Sequence, residues 1–203
     1  MIDATGTLRV REQLQPYLRP GEDLLWCGAP DPSVLFTSGD LFIVPFSLLW
    51  LAFVASFETA AVTGNGGPFP VLWGIPFIAI GLYMVVGRFV VKRYRKTRTA
   101  YGVTTDRAIA VTGRSFADLP LKGQPISVRR SRNGRHVSVT FGGVPEYVGR
   151  SPLRRPRSGW MYGMYANTGM EPLMRNVEFP AAFYDVADPD ALIGVIDRVR
   201  LTS

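Results

Sequence analysis

Two apolar runs dominate the hydrophobic pattern of the chain, Leu41–Phe57 and Phe69–Gly87, and neither contains a charged residue. Each is roughly 17–19 residues long, about what a helix needs to cross the hydrocarbon core of a bilayer. The connector between them carries Asn65, two adjacent glycines and Pro68, a composition that turns the chain back. The pattern predicts a transmembrane helical hairpin over residues 39–92, with spans at about 41–57 and 69–87. Two such helices buried in a soluble protein would need every face covered, by a chain of only 203 residues.

Small residues recur inside the hairpin. Ala52, Ser56 and Ala60 lie at successive i+4 positions of the first span, and Gly74 and Gly81 are a heptad apart on the second. These two faces are expected to pack against each other, since small side chains let helix backbones approach closely. Pro45 and Pro76 interrupt the helical hydrogen bonding, which membrane helices tolerate where neighbours satisfy the freed carbonyls. Charge then orients the hairpin. Arg88, Lys92, Arg93, Arg95, Lys96 and Arg98 follow the second span, whereas the connector Glu58–Pro68 has neither Lys nor Arg. The positive-inside rule puts the basic flank in the cytoplasm, and two spans put both termini there, in an inner or plasma membrane.

Outside the hairpin the periodicity changes. Before it, Val10, Leu14 and Leu18 form a weak helical stripe ended by Pro20-Gly21, and Glu22–Gly28 reads as a short strand. After Thr99, Ala100–Thr104 and Ala108–Thr112 flank a turn at Thr105-Asp106. The runs Ile126–Ser131 and His136–Phe141 flank Asn133-Gly134, the strongest short-range hairpin signal a sequence offers. Residues 142–175, rich in Gly, Pro, Arg, Met and aromatics, hold no period and read as an irregular insertion. A last strand is expected at Asn176–Phe179. A helix then starts with Asp188 as N-cap and Pro189 at its first position, and Leu192, Val195, Ile196 and Val199 make one apolar stripe. Short strands closed by one amphipathic helix predict a small barrel or split barrel with a helical lid. The expected organisation is a segment 1–38, a hairpin 39–92 and a domain 93–203.

The net charge of +7 and pI near 9.9 suit a partner of negative sign. Much of that charge is explained by topology, and the motifs of nucleic-acid-binding modules are absent, so no nucleic acid is expected. One cysteine, Cys27, and one histidine, His136, leave no disulfide framework or cysteine zinc cluster. No P-loop, G-x-G-x-x-G or H-E-x-x-H occurs. Catalytic residues, metal and cofactor are all expected to be none, with Glu22 and Glu58 as isolated carboxylates.

Several of these residues together resemble a known family, the bacterial membrane proteins that carry a pleckstrin-homology-like (PH-like) domain. The matching pieces are Leu18-Arg-Pro-Gly-Glu22 with Trp26, Gly28 and Pro30; the two spans; Tyr101-Gly-Val-Thr-Thr-Asp-Arg107; and Phe179 followed by Phe183-Tyr-Asp-Val-Ala-Asp-Pro189. The chain departs from the family by its second threonine before Asp106 and by the insertion. The resemblance implies an α+β membrane protein, in which the hairpin is followed by a barrel of about seven strands capped by the C-terminal helix. It also implies binding or scaffolding rather than catalysis.

Three basic clusters are then candidate contacts for anionic phospholipid or a protein partner. The first is Arg88, Lys92, Arg93, Arg95, Lys96 and Arg98. The second, Arg129, Arg130, Arg132 and Arg135, surrounds the Asn-Gly turn. The third, Arg154, Arg155 and Arg157, precedes Trp160 in the insertion. The expected role is a membrane-anchored, non-catalytic interaction module; the alternative is an accessory subunit of a membrane transport or export complex.

Overall fold

In a computed structural model describing residues 4–37, 39–64, 67–142, 167–170 and 182–201, the chain begins with α1 (Ala4–Leu14), a 3-10 turn at Gln15–Tyr17 and β1 (Leu24–Gly28). The hairpin follows as α2 (Asp40–Thr63) and α3 (Pro68–Leu82); a single π turn, Tyr83–Gly87, leads into α4 (Arg88–Lys96). Strands β2 (Thr99–Thr104), β3 (Arg107–Thr112), β4 (Ser115–Pro120), β5 (Ile126–Arg130), β6 (Val137–Phe141) and β7 (Ala182–Val186) come next, and α5 (Pro189–Leu201) ends the fold. The fold is α+β. It divides into two compact units, Leu35–Lys92 with Gly163–Asn176, and Met1–Val34 with Arg93–Tyr162 and Val177–Ser203.

The first unit holds two helices long and apolar enough to cross a membrane, Asp40–Thr63 and Pro68–Lys96. Their apolar side chains mostly face outward, with Leu41, Leu49, Phe53, Phe69 and Trp73 all exposed. Hydroxyls within α2 are satisfied by their own helix: Ser47, Ser56, Thr59 and Thr63 each donate to the carbonyl four residues back. The expected small-against-small packing is half realised. Gly74 and Gly81 are buried, but they receive large side chains: a Cβ on Gly81 would sit 3.0 Å from Leu51 and 3.3 Å from Trp50, and one on Gly74 would collide with the Glu58 carboxylate. Ala52, Ser56 and Ala60 are exposed and face away from the contact. The correction has a geometric cause: α2 meets α3 along Trp50, Leu51 and Glu58, and Ala52 lies about 100° around the helix from Leu51. Trp50 adds an indole N–H donated to the Phe77 carbonyl at 3.4 Å.

In the other unit the strands form two antiparallel sheets, β1-β2-β3-β4 and β5-β6-β7. One bridge, Pro30↔Val186, and the Asp31 N–H donated to the Asp185 carbonyl at 2.9 Å join the end of β1 to β7. Among the described residues β4 and β5 pair with no further strand, and the sheets do not close into a barrel. Every residue of β2 is buried because both faces are covered. Ala100 packs under Val10 and Leu14 of α1, while Tyr101 and Val103 face a core of Val139, Phe141 and Phe183 closed by Leu192, Ile196 and Val199 of α5. Gly102 permits the approach of α1, since a Cβ there would lie 3.0 Å from both Leu14 and Leu24. The expected cap of the last helix is present, with Asp188 accepting from the Ala191 N–H at 3.2 Å.

One expectation changes. Residues 1–38 do not stand apart from the domain after residue 93: β1 pairs with β2 through Trp26↔Val103, Cys27↔Gly102 and Gly28↔Tyr101. The hairpin is therefore inserted between two neighbouring strands of one sheet. Strand β4, which the sequence pattern does not mark, pairs with β3 along its whole length. The last described strand is β7, Ala182–Val186; the expected strand at Asn176–Phe179 and most of the insertion lie outside the described residues.

Two outcomes follow from this architecture. A fragment of residues 93–203 exposes the β1-side edge of β2 and should be insoluble or molten. Residues 1–34 joined by a short Gly/Ser linker to 93–203 should instead give a soluble domain with a cooperative thermal transition; equal behaviour of the two fragments would refute the split-domain arrangement. In the hairpin, Gly81→Leu should lower the yield of folded protein after detergent extraction, whereas Ala52→Leu should not, because a side chain at Gly81 meets Leu51 and Trp50 while Ala52 is exposed.

Candidate functional site

The basic run that follows the second apolar helix divides by helix face. Arg88, Lys92 and Lys96, spaced i, i+4 and i+8 on α4, are all buried. Arg88 ion-pairs with Asp40 at the first turn of α2, donates Nε–H to the Met84 carbonyl at 2.7 Å, and reaches the Thr168 carbonyl at 3.5 Å. Asp40 is held in turn by the amide and hydroxyl of Thr37, at 2.6 and 2.8 Å. Lys92 donates to the Leu35 carbonyl at 2.5 Å. These groups are consumed in fixing the helix ends, since a charge taken out of water must be paired. They are withdrawn as lipid contacts. Arg93, Arg95 and Arg98 are exposed, Arg98 lying 4.2 Å over the ring of Tyr94.

Residues 167–170, the described part of the insertion, dock onto the same hairpin. Tyr83 donates its hydroxyl to the Gly169 carbonyl at 2.7 Å, and Met170 packs with Ile43, Met84 and Tyr83. Gly169, at φ +83°, is required here twice over: its backbone is left-handed, and a Cβ would lie 2.2 Å from the Arg88 carbonyl oxygen.

Lys96 serves the other unit. Its Nζ donates to the carbonyls of Asp31 (3.1 Å) and Val34 (2.7 Å) and to the carboxylate of Asp185 (2.6 Å). Asp31 also meets His136 Nε2 at 2.8 Å. Burial pushes the Asp31 carboxyl up, but hydrogen bonds from the Ser33 hydroxyl and amide and from His136 outweigh it and bring its pKa down to about 2. His136 is thus a partner of a structural aspartate. A groove of about 420 Å³ beside this network is lined by Arg9, Gln13, Asp31, Lys96, Thr97 and Thr99.

The Tyr101–Arg107 motif does structural work at the far end of the four-stranded sheet. Arg107 donates Nε–H and Nη2–H to the two oxygens of Glu22 at 2.8 and 2.7 Å, Nη1–H to Asp118 at 2.5 Å, and Nη2–H to the Tyr17 carbonyl at 3.0 Å. Thr104 adds its hydroxyl to Glu22 at 2.7 Å and accepts the Arg107 amide at 3.1 Å, closing the β2–β3 turn. Glu22 is therefore no isolated carboxylate. The hydrogen bonds from Arg107 lead the causes that hold its pKa down at about 2, against the opposing pull of burial. Glu58 likewise is not a simple surface carboxylate: Oε1 is buried against Gly74 with no hydrogen-bond partner among the described residues.

The second basic cluster stays on the surface. Arg129, Arg130, Arg132 and Arg135 are exposed on β5 and the turn after it, and Arg130 pairs with Asp190 of α5 at 2.8 Å. The third cluster, Arg154, Arg155, Arg157 and Trp160, lies outside the described residues. Burial raises the pKa of the Cys27 thiol, with Arg11 opposing, so the sulfur is held as a thiol and not as the reactive thiolate. Among the described residues no group of three His, Cys, Asp or Glu side chains could hold a metal ion. No protein-family model, curated protein or solved structure matches the chain.

The Glu22–Arg107 tie sets a pH limit. Because the folded-state pKa of Glu22 is depressed, its contribution is complete above about 4.5 and is lost as pH falls towards 2. Glu22→Gln should cost about 3 kcal/mol at neutral pH, as expected for breaking a buried pair. It should also flatten the acid limb of a thermal-unfolding series below pH 4.5; an unchanged limb would contradict the assignment.

Proposed function

We propose that this chain is a two-span membrane protein that holds a non-catalytic, PH-like interaction module against the cytoplasmic face. The observation that carries this reading is the β1–β2 pairing. One strand precedes the hairpin and the other follows it, so a hairpin that spans the bilayer has both ends tied to one module on one side. A module held at two points is positioned against the membrane, where a single linker would let it swing. The outward apolar side chains of α2 and α3 need a bilayer around them, because a water-exposed surface of that kind would aggregate. The basic flank after the second apolar helix supports a cytoplasmic side for the module, by the positive-inside rule.

Seven strands in a four-plus-three arrangement, with α5 packed over the core, support the PH-like assignment. The exposed arginines 93, 95 and 98 are the anionic-lipid contact, each worth roughly 1 kcal/mol near a charged leaflet. A second reading, an accessory subunit of a transport or export complex, is favoured by one feature, the small-residue face Ala52/Ser56/Ala60 that α3 leaves open.

In sealed cells of a Cys27→Ser background, Thr63→Cys should react with an impermeant thiol reagent and Arg114→Cys should not; the reverse pattern would invert the topology. Crosslinking followed by mild detergent extraction should recover a stoichiometric partner. Recovery that survives Ala52→Leu places the contact on the module, and loss with Ala52→Leu places it in the hairpin. Recovery of no partner at all would sink the interaction reading.

A further inference from the structure

Among the described residues the seven strands leave one edge that is charged and unpaired. Along β5 the ladder to β6 runs through Ser131 N–H to the His136 carbonyl (2.8 Å) and Gly142 N–H to the Pro125 carbonyl (3.1 Å). In an antiparallel pair these bonds alternate, so the peptide groups of Ser127 and Arg129 also face β6. Those of Ile126, Val128 and Arg130 point away from the sheet, and among the described residues no strand meets them. The edge is held in place at both ends by α5, through Arg130 to Asp190 at 2.8 Å and Arg200 to the Gln124 carbonyl at 3.3 Å.

The opposite free edge is blunted. Strand β4 ends in Pro120, its Asp118 is taken by Arg107, and its Phe116 stacks on Tyr17 with centroids 5.0 Å apart. On β5, by contrast, Val128 stays 47% exposed although it sits opposite the buried Val139. Arg129 projects from the other face, and Arg132 and Arg135 follow in the turn; none of the three has an acidic partner among the described residues. The arginines decide the occupant. A second copy adding edge to edge would set like charges against each other, whereas an acidic strand would neutralise them.

We propose that the free edge of β5 accepts, by strand addition, an extended segment of a partner protein in which acidic residues alternate with apolar ones. The backbone groups of Ile126, Val128 and Arg130 supply the ladder. Apolar residues of the added strand lie beside Val128, and acidic ones lie on the opposite face beside Arg129, Arg132 and Arg135. This assignment rests on the reading of the chain as an interaction module and names where and what it binds.

The test uses the full chain in nanodiscs of neutral lipid, titrated with fluorescent peptides alternating valine with glutamate or valine with lysine. The Val/Glu peptide should bind saturably and the Val/Lys peptide should not. Val128→Pro removes an N–H that bonds nothing among the described residues, so the thermal midpoint should hold while Val/Glu binding weakens roughly tenfold, the worth of about one ladder hydrogen bond and its geometry. Combined Arg129→Glu, Arg132→Glu and Arg135→Glu substitutions should reverse the peptide preference, and they decide the matter alone if Val128→Pro unfolds the domain. Absence of saturable Val/Glu binding, or equal binding by folded Val128→Pro, overturns the β5 site. If a crosslinked partner is still recovered in that event, the module reading stands; if none is recovered from the native membrane, that reading falls whatever the peptides do.

Discussion

The pairing of β1 with β2 is the constraint on which the rest of the structure depends. Gly28 lies beside Tyr101, and between them the chain leaves the sheet, makes the whole α2–α3 hairpin and comes back. Such a contact is costly to form, because a long loop must close before any ladder bond is gained. A stable helical hairpin lowers that cost by bringing its own two ends near each other before the strands meet.

Charge is used at the ends of that insertion in two distinct ways. On one face of α4, Arg88 and Lys92 are buried against Asp40 and the Leu35 carbonyl, and Lys96 against Asp31, Val34 and Asp185. These cations are internal fittings, and removing a partner would leave a buried charge uncompensated. Elsewhere on α4 Arg93 and Arg95, and in the turn after it Arg98, remain in contact with solvent. A run that is uniform in sequence therefore contains both structure and surface, sorted by the 3.6-residue period of the helix. Arg107 repeats the first use at the far end of the sheet, where its fork joins Glu22, Asp118 and the Tyr17 carbonyl. The segment before β1 is locked to the β2–β3 turn by that side chain together with the Thr104 hydroxyl on Glu22.

The insertion's Thr168, Gly169 and Met170 show a related economy. They touch the hairpin through backbone carbonyls and one thioether, with left-handed Asn167 and Gly169 shaping the turn. No periodic pattern marks such a contact, because the recognition is carried by the main chain.

Periodicity and composition by themselves determined the two apolar helices, the turn between them, the Asn-Gly hairpin of β5 and β6, and α5 with its Asp188 cap. Each is a local matter, set by residues within a few positions of one another. The glycines of α3 were legible as contact points too, since a missing side chain signals close approach whatever fills it. What fills them was not: the rotation of α2 that presents Leu51 and Glu58, and turns Ala52 outward, is decided by how two helices interlock. Tertiary structure alone joined β1 to β2 across the hairpin, recruited β4, divided the basic run around α4 into buried and exposed cations, and left one edge of β5 unpaired among the described residues. The physical reason is common to all four. Pairing and burial depend on which groups meet across large sequence separations, and a one-dimensional pattern records only the preference of each group for water or for its absence.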